Sequence, residues 1–285
     1  VALVTKHPTS PLVAESWFRV GEFQENSEQP AEAIKAFTAG LKSAKKPDLR
    51  EKLYHKLGWV QYQQEQFAAA ATAFQEQAKQ FPKGELLMPG RFLAGESLYK
   101  QAKFDQALPM YAAVIAAKAP KFHANALYRS GDCAAGLKQW KQSETSYIAL
   151  IGGFPKFPNI NEARYGLGLA YQNQNQFDPA KKAFAEVVKA TTSPTAAKSK
   201  YMMGECAFAE KKYKEAYEHF LEAAAGYPDK GDYREWLSKS HFEAARCFIQ
   251  LKEVDLARQE LKTVIEKYAD FPEAKNAQTL LANLK

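Results

Sequence analysis

The stretch YGLGLAYQNQNQFDPAKKAFAEVVKATTSP, residues 165–194, decides how the rest of the chain is read. Leu167, Gly168 and Tyr171 fall on one helical stripe, and Ala180, Phe184, Val187 and Val188 on a second, with polar residues 173–178 between them. This pattern predicts two amphipathic helices joined by a short turn. Gly168 faces Ala180, so the helices cross closely, and Phe184 fills the space beside the contact. A leucine at such a packed small position would overfill it, at a cost of about 1–3 kcal/mol.

The same arrangement recurs along the chain. Small residues stand at Gly21, Gly58, Gly95, Gly131, Gly168, Gly204 and Ala245. Twelve places after each comes a second small residue: Ala33, Ala70, Ala107, Ser143, Ala180, Ala216 and Ala257. Four places further stand Phe37, Phe74, Tyr111, Tyr147, Phe184, Phe220 and Leu261. The first members are spaced 37, 37, 36, 37, 36 and 41 apart, and self-similarity at such a period means stacked repeats. The second helix of a repeat stops near a proline, as at Pro82, Pro155 and Pro228, because proline lacks an N–H and restricts the residue before it.

Trp17, Gly21, Ala33 and Phe37, then Tyr54, Gly58, Ala70, Phe74 and Pro82, resemble the signature of the tetratricopeptide repeat at its positions 4, 8, 20, 24 and 32. The departures are local: Arg91, Arg164 and Lys200 stand at position 4, Ser143 replaces an alanine, and several loops exceed the family minimum. The resemblance implies an all-α, right-handed superhelical solenoid of about seven antiparallel helix pairs. The repeats are placed at 14–47, 51–84, 88–121, 124–157, 161–194, 197–230 and 238–271, followed by a capping helix at 273–285. That last helix gathers Ala274, Ala277, Leu281 and Leu284 on one side. Residues 1–13 align with the end of an upstream repeat, Leu3 and Val4 matching Val264 and Ile265. The expectation is a fragment of a longer protein, with apolar surface at that end left by an absent helix. Residues 229–237 form an insertion of about one helical turn before the last repeat.

At 285 residues and 46% hydrophobic content, the chain can bury a long core as a one-dimensional stack. No run reaches 18 consecutive apolar residues, so the sequence contains no transmembrane segment. The net charge of +7 raises nucleic acid or an anionic surface as partners, but the bases are interspersed with acids. Basic stretches 42–46 and 198–200 read as solvated surface.

Cys133, Cys206 and Cys247 share position 10 of their repeats and read as buried free thiols, packing as small hydrophobes. None of the five histidines has a metal-ligand spacing, and His241 takes the place of Trp17 and Tyr54, so it reads as core. Gly166 and Gly168 lie inside a helix with no strand before them, and are not a dinucleotide loop. No Gly-x-Ser-x-Gly or phosphate-binding loop occurs, so nothing points to an active site, a metal or a cofactor.

The first helix of each repeat carries a second stripe. Position 5 holds Phe18, His55, Phe92, Tyr128, Tyr165, Tyr201 and Phe242. Position 9 holds Glu22, Trp59, Glu96, Asp132, Leu169, Glu205 and Arg246, and position 12 adds Tyr62, Tyr99 and Phe208. These positions share one helix face, which the resemblance places on the concave side of the solenoid. The candidate partner-binding residues are Phe18, Trp59, Tyr62, Phe92, Glu96, Tyr99, Tyr128, Asp132, Tyr165, Tyr201 and Glu205. The plainer alternative is that position 5 leans on the neighbouring repeat as packing.

Family members that clamp C-terminal carboxylates resemble one another in using Lys at position 5 and Asn at position 9. Here aromatics and acids stand there, which favours a peptide with Lys or Arg between apolar anchors. The reading is a non-enzymatic scaffold for a protein or peptide partner. The alternatives are a basic solenoid for nucleic acid or anionic surfaces, or a regulatory or localising region of a larger protein. The repeat style is similar to bacterial envelope members of the family, which leans towards a periplasmic or envelope location over the cytoplasm.

Overall fold

In the computed structural model the described residues are 10 and 12–284. The alignment of Leu3, Val4 and Pro8 with an upstream repeat therefore falls outside the described residues. Among the described residues there are fifteen α-helices and no strand, an all-α repeat solenoid. The helices divide between two compact units, residues 1–139 and 140–285.

The first unit holds α1 (Val13–Asn26), α2 (Pro30–Ser43), α3 (Pro47–Gln63), α4 (Phe67–Gln80), α5 (Leu87–Lys100), α6 (Phe104–Ala116) and α7 (His123–Gly136). The second holds α8 (Trp140–Gly153), α9 (Ile160–Gln172), α10 (Phe177–Ala190), α11 (Pro194–Ala209), α12 (Tyr213–Ala225), α13 (Arg234–Gln250), α14 (Val254–Lys267) and α15 (Pro272–Asn283). The insertion at 229–237 becomes a 3₁₀ turn, Gly231–Tyr233, and an extra first turn of α13. Prolines open α2, α3, α11 and α15, where the missing N–H is one the helix leaves unpaired anyway.

Within each unit a helix packs on its sequence neighbours. The first helices of adjacent repeats also touch, α1 with α3 and α3 with α5, then α9 with α11 and α11 with α13. The aromatic at position 24 does more than fill space beside the crossing. A Cβ on Gly58 would lie 2.9 Å from the Phe74 ring, and one on Gly95 2.7 Å from Tyr111. The ring lies directly on the glycine, so small and large residues are coupled as a pair. Repeat seven shows the exchange, with Ala245 and the slimmer Leu261 in one cluster.

The turn between the two helices of a repeat uses a left-handed residue each time: Glu28, Glu65, Ala102, Lys138, Asn175, Lys211 and Lys252, with φ between 55° and 64°. The next amide reaches back five residues, as from Gln66 to the Gln61 carbonyl and from Lys212 to Ala207, closing the helix end in a Schellman motif. The longer loop 81–86 is tied down from inside. Gln77, fully buried, donates to the Leu86 carbonyl at 2.9 Å, and Glu51 accepts from the Leu86 amide at 3.0 Å.

Cys133, Cys206 and Cys247 are buried and unpaired, and burial pushes all three thiols up to about 12. Burial thus disfavours the thiolate, the form that reacts with electrophiles. His241 is not plain core. It is half-buried, with Nδ1 2.6 Å from Glu260 and its ring 5.8 Å from Tyr268.

Candidate functional site

Every position 5 side chain is half-buried. In five repeats its ring is seen against the position 24 ring of its own repeat: Phe18 on Phe37, His55 on Phe74, Phe92 on Tyr111, Tyr165 on Phe184 and Tyr201 on Phe220. Centroid separations run from 5.3 to 6.0 Å. One side of each ring is therefore spent on packing, and within its own repeat rather than only on a neighbour.

In the first unit these helices build two adjoining features. The first is a largely apolar cavity of about 430 Å³, lined by His55, Lys56, Trp59, Pro89, Phe92, Leu93 and Phe122. Trp59 stacks on Tyr62 at 6.3 Å, and Phe92 on Phe122 at 5.0 Å, so flat rings form its walls. The second is a charged centre. Glu96, only 9% exposed, accepts a hydrogen bond from the Tyr111 hydroxyl at 2.6 Å and from Arg129 Nε at 3.0 Å. Arg129 also faces Asp132 at 3.4 Å and covers the Tyr99 ring at 4.5 Å. Glu96 is thus an interior acid already served by this chain rather than an open contact. Tyr128 is half-buried beside the same guanidinium, at 5.7 Å. Phe18 stands apart, with Arg19 over its ring at 5.8 Å.

In the second unit the corresponding cavity is filled. Lys198 stands at position 2, as Pro89 does in its repeat, and its Nζ lies 4.4 Å from the Tyr165 ring and 5.1 Å from Trp236. Burial lowers the Lys198 ammonium and raises the Tyr165 hydroxyl relative to their ordinary ranges. Stretch 198–200 is therefore not solvated surface: Lys198 is wedged between rings, and Lys200 pairs with Glu222. Tyr201 meets Trp236 at 5.6 Å. Glu205 lies near Tyr201, Glu243 and Arg246, and burial followed by the repulsion of Glu243 pushes its carboxyl up to about 7. Glu243 accepts both contacts of Arg246, at 2.9 and 2.7 Å, while that guanidinium covers Phe208 at 4.9 Å.

The stripe at 5, 9 and 12 did not include Phe122, Arg129, Lys198, Trp236 or Glu243. Arg129 and Glu243 occupy position 6, and Phe122 and Trp236 stand two residues ahead of their repeats. Aligning those columns brings the pairs into register, although opposite charges at position 6 hide the correspondence.

Among the described residues no helix is long and apolar enough to cross a membrane. Three family models described as tetratricopeptide repeat match the sequence: one at residues 92–156 and 165–230, one at 207–282 and one at 53–84. Comparison with curated proteins finds no match. Among solved structures, the chain is similar to the C-terminal part of a TPR repeat-containing protein from Cytophaga hutchinsonii. That match has 17% identity over 91% of this chain and 98% of that one, with a TM-score of 0.65. A tetratricopeptide repeat protein from Parabacteroides merdae matches at 13% identity over 95% and 98%, with a TM-score of 0.55. The apo form of the quorum sensor NprR from B. thuringiensis matches at 15% over 94% and 79%, with a TM-score of 0.56. At these identities the likeness concerns the fold.

Proposed function

We propose that this chain, which belongs to the tetratricopeptide repeat family, is a non-enzymatic scaffold that binds an extended protein segment along the first helices of its repeats. The observation that carries this reading is the cavity between His55, Trp59, Pro89, Phe92 and Phe122. Its walls are rings held by packing from behind, so they offer apolar area without ordering cost on binding. An aliphatic, proline or aromatic side chain suits it. The position 9 acids nearest it, Glu96 and Asp132, are engaged by Arg129, but the Tyr99 ring shows that an aromatic of this face accepts a guanidinium, which favours basic residues between the apolar anchors.

A peptide array probed with the intact chain and with Trp59→Ala and Phe92→Ala variants tests this. The expected result is selection of peptides mixing apolar and basic residues, weakened tenfold or more, about 1.4 kcal/mol, by either change. Peptides bound equally by all three proteins, each shown to be folded by circular dichroism, would place the binding surface elsewhere.

A further inference from the structure

The cavity of the first unit has a twin in the second, and the twin shows what fills it. His55 and Tyr165 hold position 5, and Phe92 and Tyr201 hold position 5 of the following repeat. Phe122 and Trp236 stand two residues ahead of the repeat after that. The ring pair recurs, Phe92 with Phe122 at 5.0 Å and Tyr201 with Trp236 at 5.6 Å. In the second unit the side chain among these rings is Lys198 of position 2, its Nζ 4.4 Å from the Tyr165 ring and 5.1 Å from Trp236. Ring faces meet this ammonium, while Glu235, the acid that acts on it, is bonded to Lys239. In the first unit position 2 is Pro89, which has no amine to offer, and a cavity of about 430 Å³ lies open beside it.

We propose that the first-unit cavity is the receptor for a lysine side chain of the bound protein segment. The proposal rests on the reading of the first helices as a protein-binding face, and names which aliphatic side chain the cavity takes. An unbranched lysine stem lies along apolar Pro89 and Leu93 while its ammonium meets the faces of the rings. At position 9 the first unit is the better equipped of the two. Trp59 stands where the twin has Leu169, and an indole is the ring that attracts a cation most strongly. A leucine or proline anchor would use the apolar walls and leave that attraction unused.

The charges already at the cavity leave a place for one more cation. Lys56 lines it, but its Nζ is bound to Glu25 at 2.8 Å. The twin has the same arrangement: Lys239 lies 4.6 Å from the Trp236 ring and is bound to Glu235. Each place therefore has one paired lysine at its side. The second unit supplies the further ammonium from its own chain, and the first leaves it to the partner. Burial lowers His55 from its ordinary range, with Nδ1 3.2 Å from Gln77, so the imidazole adds no charge at neutral pH.

The test compares a fluorescein-labelled, C-terminally amidated peptide carrying one lysine between leucines with its twin carrying norleucine, the same stem without the amine. Polarisation titrations at about pH 7 and fixed ionic strength use the intact chain, Phe122→Leu and Trp59→Leu. Both changes keep apolar area and remove a ring. The intact chain is expected to bind the lysine peptide about tenfold tighter than the norleucine peptide, within the range for a desolvated cation over aromatic faces. In each variant that preference should shrink to about threefold or less. Comparing two peptides on one protein cancels any loss of stability that affects both. Equal affinity for the two peptides, or tighter binding of norleucine, overturns the proposal and leaves the cavity as an apolar pocket within the wider reading. A lysine preference that persists at full strength in either variant overturns it as well, since the cation is then held elsewhere. If neither peptide binds at about 1 mM, the proposal falls. The wider reading falls with it only if the peptide array is blank as well.

Discussion

Repeats three and four and repeats six and seven use the same positions with their charges and hydroxyls exchanged. Position 9 is glutamate in both, Glu96 and Glu205. The hydroxyl near Glu96 comes from position 24, Tyr111, while the one near Glu205 comes from position 5, Tyr201. Position 6 of the following repeat is Arg129 in one place and Glu243 in the other, and position 9 reverses as well, Asp132 against Arg246. The result is one centre in which an arginine bridges two acids, and another in which an arginine is held by one acid and the second acid stays protonatable. The same fold thus carries one centre whose acids share an arginine and another whose position 9 acid is left without one, and the difference lies in side-chain chemistry at fixed backbone positions.

Exchanging the position 6 charge should break the contrast most forcefully. Arg129→Glu would recreate the carboxylate pair around Glu96 without the hydroxyl of Tyr201, and should cost the first unit about 3–5 kcal/mol in urea unfolding. The reverse change, Glu243→Arg, should stabilise the second unit by about 1–2 kcal/mol by giving Glu205 a charged donor. An Arg129→Glu protein of unchanged stability would show that solvent screens the pair.

The next effect is on pH dependence. The Glu205 carboxyl sits at about 7 in the fold against 4.5 when unfolded. The folded state therefore binds more protons between those values. The stability it contributes is fully present below the unfolded value and is lost as pH rises through about 7. Subtracting a Glu205→Gln profile from wild type should leave a fall on the order of 2–3 kcal/mol between about pH 5 and 8. The subtraction matters because burial lowers His219 in the same unit, which acts in the opposite sense. In the first unit burial lowers His55, so its contribution rises with pH as the ring loses its proton. Amide exchange in α5 and α11, followed over the same range, separates the two trends.

Moving the hydroxyl sharpens the comparison on a smaller scale. Tyr111→Phe should cost about 1–2 kcal/mol because Glu96 loses a buried donor. Phe220→Tyr should bring a hydroxyl towards Glu205 and shift its carboxyl resonance titration to lower pH. A titration left in place would mean that the two position 24 rings are not equivalent.

The smallest effect should be identical in both places. Ala102→Gly and Lys211→Gly relieve left-handed backbone at corresponding turns, where φ is 55° and 61°. Each should add about 0.5–1 kcal/mol in thermal unfolding. Unequal gains would show that the turns differ in ways their hydrogen bonds do not.

The helix pairs were legible because the small and aromatic members of each crossing must meet, and Gly58 with Phe74 or Gly204 with Phe220 recur at one spacing. The turns were not legible from residue type. Their left-handed positions hold Glu28, Ala102 and Lys211 rather than glycine, since the backbone bonds of the motif enforce a conformation that these side chains disfavour. The candidate face was visible as rings at positions 5 and 12, but not how much of each ring the fold uses. Trp59 and Phe92 line a cavity, whereas Tyr165 is covered by Lys198, a residue that composition alone assigns to solvent. Charge pairing was the least accessible, because Arg129 reaches across to another helix whereas Glu243 pairs within its own, and the two do not repeat.

The habit of each helix to pack on its sequence neighbours has a mechanical consequence. Within either unit a pulling force loads a chain of separate contacts in series and meets no interlocked centre that must rupture at once. Extension should advance by one helix pair at a time. With repeats spaced 36 or 37 residues apart, and 41 before the last, each step would release about 130–145 Å of chain. Either unit pulled from its ends is therefore expected to lengthen in a series of similar steps rather than in one rupture.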